Sequence, residues 1–202
     1  MQVNSISFGK KIPIAKAQIL RNNKNKFIPV YFNEYDCQDK DDIIKISKLK
    51  DNWLFKEIIL YGMGKKNRAP LYPANENTHF YTLEKENGKI IGICETFHDS
   101  DNININFIET NKKNKYKYSG QLMLATIAKN IINKNGKNLY IKNPSKNAYT
   151  FYTDACGFVK DQNNETLSTL GLSNLIMETE EINKFIENVE QKINTPIINL
   201  MA

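Results

Sequence analysis

Arginine is nearly absent from this chain. Arg21 and Arg68 are the only two in 202 residues, so almost all of the 28 basic residues are lysine. Bidentate reading of guanine edges and phosphate pairs favours the planar guanidinium. The net charge of +6 therefore does not point to sequence-specific nucleic-acid binding. It suits any anionic ligand, a phosphate-bearing cofactor included. Cysteine is scarce too. Cys37, Cys94 and Cys156 are odd in number and far apart, which excludes a disulfide framework and a CxxC metal pair and fits a reducing cytoplasm. No stretch approaches the roughly 18 apolar residues of a membrane span, so no membrane partner is expected. No apolar run follows a basic start near the first residues, so no secretory leader is expected either. Hydrophobic content is not lacking: 41% apolar residues, with 10 Tyr and 10 Phe, exclude an intrinsically disordered chain.

What is present is a series of strand and helix signals. Residues 1–26 show weak periodicity and end in the polar run Arg21-Asn22-Asn23-Lys24-Asn25-Lys26, so a partly flexible extension is expected there. Residues 27–33 read as a strand, confined by Pro29 to an edge or a strand start. Asp39, Asp41 and Asp42 open one helix; Asp51 or Asn52 caps a second that carries Trp53, Leu54, Ile58 and Leu60. Residues 62–77, with two glycines and two prolines, are a loop. Strand-like runs over 78–85 and 89–97 flank Glu86-Asn87-Gly88, a tight-hairpin signal. Strict alternation over 102–108 puts Ile103, Ile105 and Phe107 on one strand face. A helix over 120–134 carries Leu122, Met123, Ile127, Ala128, Ile131 and Ile132 as its apolar stripe and stops at Gly136. A strand over 138–142, a helix from Pro144 through Tyr152, a strand after Cys156-Gly157-Phe158, a strand over 173–178 and a helix over 180–192 complete the order. This is an α/β (α+β) fold, a sheet covered by helices, and neither a bundle nor a sandwich.

The unit richest in chemistry is the strand over 102–108, its following loop and the helix from Gly120. The loop reads Lys115-Tyr116-Lys117-Tyr118-Ser119-Gly120-Gln121. Unsatisfied N–H groups at a helix start, aided by the helix dipole, attract anions. Glycine lets a phosphate approach the backbone closely. Lys112, Lys113, Lys115 and Lys117 strengthen the field. Taken alone, the same pattern also describes a solvated basic loop with a glycine at a helix start.

The layout and two motifs resemble the GNAT superfamily of N-acetyltransferases. That family's acetyl-CoA loop reads R/Q-x-x-G-x-G/A ahead of a helix. Here Lys115 takes the first position, Tyr118 stands at the first glycine, Gly120 matches the last, and Met123-Leu124 match the apolar pair that follows. A second family motif reads N-x-x-A-x-x-φ-Y and then Gly-Phe. Its counterpart here is Ser145-Lys146-Asn147-Ala148-Tyr149-Thr150-Phe151-Tyr152, then Gly157-Phe158. Tyr152 and Gly157 stand one residue further apart than the common spacing, which calls for a bulge or an extra turn. Tyr140 stands where some relatives carry a basic carboxylate.

The resemblance implies a mixed, mostly antiparallel sheet with helices on both faces and a C-terminal helix. It divides the chain into an extension at 1–26, an acetyltransferase domain at 27–179 and a helix with tail at 180–202. It implies acetyl-CoA as cosubstrate, lying where the strand ending near Ile108 splays from the strand over 138–142. Ile108, Lys115, Tyr116, Lys117, Tyr118, Ser119, Gly120, Gln121, Ser145 and Ala148 would surround it, with loop amides on the pyrophosphate. The acetyl group would pass directly to an amine, which must first lose a proton because its pKa is about 10. By the same analogy Tyr152 is the general acid for the departing thiolate. The base stays open between Glu95, Glu109, His98 and a water chain. Cys156, with no Cys–His signature beside it, reads as a small buried residue. A non-catalytic acyl-CoA-binding module and a basic nucleic-acid- or ribosome-associated protein stay open as other classes. No motif identifies the acceptor, and the stripe from Ile182 to Ile193 leaves a homodimer open.

Overall fold

A computed structural model describes residues 11–22, 24–35, 41, 44–45, 53, 77–100, 102–110, 116–133, 137–142, 144–162 and 173–200. Among them nine strands form one sheet. They are β1 (Ile12–Arg21), β2 (Lys26–Tyr35), β3 (Thr78–Lys85), β4 (Ile90–His98), β5 (Asn102–Thr110), β6 (Asn138–Ile141), β7 (Val159–Lys160), β8 (Leu175–Met177) and β9 (Ile198–Asn199). Their spatial order is β7-β8-β6-β5-β4-β3-β2-β1-β9. Only the β5–β6 pair is parallel. A parallel pair needs a crossover, and α1 (Ser119–Asn133) supplies it. A short helix, α2 (Lys146–Thr150), continues into a π-helical turn over Phe151–Ala155. The last helix is α3 (Thr179–Ile193).

Within the extension expected over 1–26, residues 12–21 instead form β1, a full strand whose ladder to β2 runs from Ile12↔Glu34 to Arg21↔Lys26. The polar run beginning at Arg21 is the hairpin turn between these strands, where Asn25 takes φ 43. Ile14, Ala17 and Ile19 are buried beneath helix, so the strand is held by its apolar face. Pro29 is tolerated because β2 pairs with β3 only from Val30 onward; at Pro29 the strand has β1 alone as neighbour. The β3–β4 hairpin forms as expected. The Gly88 N–H donates to the Lys85 carbonyl at 2.8 Å, and Gly88 alone of the turn takes positive φ. The turn is thus a three-residue loop closing on a left-handed glycine.

The apolar stripe of α3 packs on α1 and β1 of its own chain, with Ile182, Phe185, Ile186, Val189 and Ile193 all buried. The stripe that left a partner chain open is therefore covered by the protein's own core. Beyond α3 the tail returns to the sheet as β9, where Lys16 pairs with Ile198 and Ala15 with Asn199. The two long described helices share one face of the sheet. The helices expected over 39–60 lie outside the described residues, apart from positions 41, 44, 45 and 53. The loop over 62–77 lies outside them too, except at its last residue.

Candidate functional site

The parallel pair sets the geometry. β5 and β6 pair from Asn102↔Asn138 to Ile105↔Ile141, and there the ladder ends while β5 runs on to Thr110. A bulge sits at the parting. Opposite β4, Glu95 pairs with Phe107 and Thr96 with Ile105, leaving Asn106 as the extra residue. A bulge bends its strand and re-aims the residues beyond it. Both crossover helices start at the carboxyl ends of these two strands, α1 after β5 and α2 after β6. In sheets with parallel strands, ligands bind outside the carboxyl ends where neighbouring strands part.

The loop before α1 is tied to the end of β1. Tyr116 forms a bridge with Arg21, and the Lys117 N–H donates to the Leu20 carbonyl at 2.9 Å. That amide is therefore committed within the protein. This alters the expectation that amides from Lys115 to Gln121 all face a ligand; Lys115 itself lies outside the described residues. Tyr118 has φ 65, the left-handed region that glycine favours. A tyrosine there costs about 1–2 kcal/mol. Packing of its ring on the core and a 2.8 Å bond from the Leu122 N–H to its carbonyl hold it in place. The bend expected of a glycine is kept without the glycine. Beyond it, Ser119, Gly120 and Gln121 form the first turn of α1, where helix geometry leaves N–H groups without an intrahelical partner. The Gln121 side chain turns inward and donates to the Ala155 carbonyl at 2.5 Å.

Gly120 also has a packing reason to be glycine. A Cβ built there would stand 2.9 Å from Phe151 Cζ, inside van der Waals contact. The residue therefore lets α1 and α2 approach each other. Ser145 occupies the cap position of α2 without a side-chain cap bond, and its carbonyl accepts from the Ala148 and Tyr149 N–H groups. Ala148 and Ile108 are half-buried against the core.

The extra residue between Tyr152 and Gly157 is absorbed by the π turn. Such turns are single-residue insertions into a helix. The Phe158 N–H donates to the Tyr152 carbonyl at 3.0 Å, and Gly157 closes the element at φ 82. Tyr152 is buried, with its ring edge-on to Phe151 and Phe158. Its hydroxyl has no hydrogen-bond partner among the described residues. Burial, with Cys94 and Cys156 nearby, pushes its pKa up, so the phenol keeps its proton. Both cysteines are buried and free. Burial pushes the Cys156 thiol up to about 12 and Cys94 well above its ordinary value, so neither is a ready nucleophile.

The three base candidates separate onto two faces. Cys94 belongs to the core beneath α1, so alternation and register put Glu95, with its neighbours Ile93 and Phe107, on the opposite face. Glu109, paired with Ile93, shares that face and is buried. Glu95 accepts from Asn106 Nδ2 at 2.7 Å, so the bulge residue itself holds the carboxylate. Burial raises its pKa, and the Asn106 bond offsets only part of that. His98 lies instead on the α1 side. Its ring stacks on His79 at 4.0 Å and its Nε2 meets Thr96 Oγ1 at 2.9 Å, while His79 Nδ1 meets Glu34 at 2.5 Å. Sequence reasoning missed Asp161, whose carboxylate accepts from the Tyr140 hydroxyl. The carboxylate absent at Tyr140 is thus present just past the end of β7, two strands away in the sheet. No local pattern announces it, because the pairing depends on β8 lying between β6 and β7.

No protein-family model matches the sequence, and no curated protein matches it. Solved structures do match. A GNAT-family acetyltransferase from Staphylococcus aureus Mu50 superposes with a TM-score of 0.53 at 14% identity, over 74% of this chain and 99% of that one. The chain has the GNAT fold. Tetrahymena GCN5 gives 0.52 at 12% identity, over 70% of this chain and 89% of the other. A bacterial toxin gives 0.53 at 15% identity, over 78% and 95%. At these identities the likeness establishes the GNAT fold and leaves the chemistry to the residues. No helix among the described residues is long and apolar enough to cross a membrane.

Proposed function

We propose that this protein is an acetyl-CoA-dependent N-acetyltransferase that passes the acetyl group directly to an amine. The observation that carries this reading is the end of the β5–β6 ladder at Ile105 and Ile141, where β6 stops and β5 runs on to Thr110, bulged at Asn106, with two helix N-termini at the same end. That opening offers a strand edge to an extended amide chain and helix amides to a phosphate. The residues present fit the cosubstrate. Ser119, Gly120 and Gln121 would supply N–H groups to its pyrophosphate, with the exposed Lys117 ammonium beside them, and the edge of β5 past Ile105 would meet its pantetheine arm. When bound, it supplies an activated thioester carbonyl.

The chain's own residues then have defined tasks. Glu95, with its raised pKa, is the base that takes the proton of the incoming ammonium, and Asn106 fixes its orientation. Tyr152, protonated and wedged between two rings, is the acid that gives its proton to the departing sulfur. The Tyr140–Asp161 pair lies on the same face as Glu95 and adds acceptor atoms for a cationic amine. Mass spectrometry of products from a panel of amines with acetyl-CoA tests the reading. A mass increase of one acetyl group on an amine, dependent on both Tyr152 and Glu95, is the expected result. No acetylated product across peptide, polyamine and small-metabolite amines would overturn it.

A further inference from the structure

On the sheet face opposite α1 and α3, well away from the β5–β6 opening, lies a cleft of about 220 Å³ lined by Lys11, Asn33, Glu84, Lys85 and Gly88, among others. Its shape has two local causes. β1 bulges between Pro13 and Ala15, directly opposite Asn33 and Phe32 of β2. On the other side, the left-handed Gly88 turns the β3–β4 hairpin sharply beside Glu84.

The floor is a saturated carboxylate. The Glu84 side chain is 1% exposed, and its Oε2 accepts from Lys11 at 3.3 Å and Lys45 at 2.8 Å. Its Oε1 accepts from the Tyr35 hydroxyl at 2.6 Å and from Thr82 Oγ1 at 2.8 Å. Two ammonium groups therefore share one carboxylate oxygen and leave one positive charge over. Lys85 adds another at the wall, and the exposed Glu86 is the remaining acidic residue of the lining among the described residues. Beside this surplus, Asn33 is 3% exposed and its Nδ2 is buried with no hydrogen-bond partner among the described residues. An unmet buried donor is destabilising. Surplus charge and orphan donor call for the same thing, an anionic oxygen. The volume is smaller than the roughly 300 Å³ at which drug-sized pockets begin, so the occupant is small.

We propose that this cleft is a binding site for a small oxyanion, a phosphate or short carboxylate, with Lys11 Nζ and Asn33 Nδ2 as its donors. It stands apart from acetyl transfer: β2 and β5 are three strands apart, about 14 Å at ordinary strand spacing.

Thermal melting of the whole chain in sodium phosphate, sodium acetate and sodium chloride at equal ionic strength tests this. The expected result is a saturable rise of several degrees in phosphate or acetate that chloride does not give. Which of the two acts at lower concentration identifies the anion class. Lys11→Met, at a side chain over a third exposed, and Asn33→Leu, with the same side-chain branching but without the donor, should each abolish the rise while far-UV circular dichroism stays native. Equal melting in all three salts would overturn the proposal, leaving a cleft that holds water only. A rise that survives Lys11→Met would overturn it too, because the anion would then sit elsewhere, for instance at the start of α1.

Discussion

Tyr152 is buried between two aromatic rings, yet its hydroxyl is unclaimed by any described side chain. A phenol placed for packing alone would gain nothing from that oxygen. Tyr152→Phe removes it and keeps the ring, so the melting temperature should change little while kcat falls about 10²–10⁴-fold, the range of a positioned acid. Acetyl-CoA affinity should hold, since the interaction belongs to the transition state. A variant retaining more than about half of wild-type kcat, with chemistry rate-limiting, would show that Tyr152 is not the acid. Glu95 makes a separate prediction through pH. A base acts when deprotonated, and burial raises its pKa above the ordinary carboxylate value of about 4.3. The kcat/KM profile should therefore rise with pH through an inflection above that value. In Glu95→Gln the rate should drop and the inflection should vanish. If the inflection persists in Glu95→Gln, Glu109 on the same face becomes the base to test.

At the scale of elements, the junction of α1 with α2 decides whether the site holds its shape. Gly120→Ala would place a methyl group 2.9 Å from Phe151 Cζ. Overpacking of this kind typically costs about 1–3 kcal/mol. Phe151→Leu should relieve it, so the double variant should be more stable than the sum of the two single changes, measured by urea denaturation. Additivity would mean that the ring swings aside freely and that the helix contact is not tight. The same junction shows what was legible beforehand. The spacing from Tyr152 to Gly157 demanded an added residue in the helix, and the π turn supplies it. The alternating run from Ile103 to Phe107 announced β5, and the stripe of α3 was read residue for residue. β1 escaped because Ile12–Arg21 alternates only irregularly across its bulge, and its ladder partner, not its own pattern, fixes it as a strand. β9, two residues long after Pro196, carries no pattern at all. The bend at Tyr118 was invisible for another reason: the sequence holds the wrong residue for it, and tertiary packing overrides the local preference.

The molecule as a whole joins its sheet to the segment carrying Lys45 through Glu84. Burial by itself would raise this carboxyl, but hydrogen bonds from Lys45, Tyr35 and Thr82 outweigh it and hold the pKa below the ordinary value. The native state then binds fewer protons there than the unfolded chain. Its stabilisation is full above about pH 4.3 and is lost as pH falls through the lower folded value. Glu84→Gln should cost about 1–3 kcal/mol at pH 7, because the lysines it leaves are partly exposed, with the gap to wild type in urea denaturation closing toward pH 3. A gap unchanged at pH 3 would mean that the loss comes from packing and not from charge. The largest test at this scale is ligand linkage. A ligand bound only by the folded chain stabilises it by about 2.7 kcal/mol at 100 times its dissociation constant. For a domain of this size, with melting shifts of about 2–4 °C per kcal/mol, that is roughly 5–10 °C. Acetyl-CoA should produce such a shift, and CoA a comparable one, because the proposed contacts at Ser119, Gly120 and Gln121 are to the pyrophosphate that both share. Lys11→Met should leave the shift intact, since the oxyanion cleft lies on other strands. A folded protein whose melting is unmoved by millimolar acetyl-CoA would keep the GNAT fold and lose the acetyltransferase reading, because nothing in the fold by itself requires the opening beyond Ile105 to be filled.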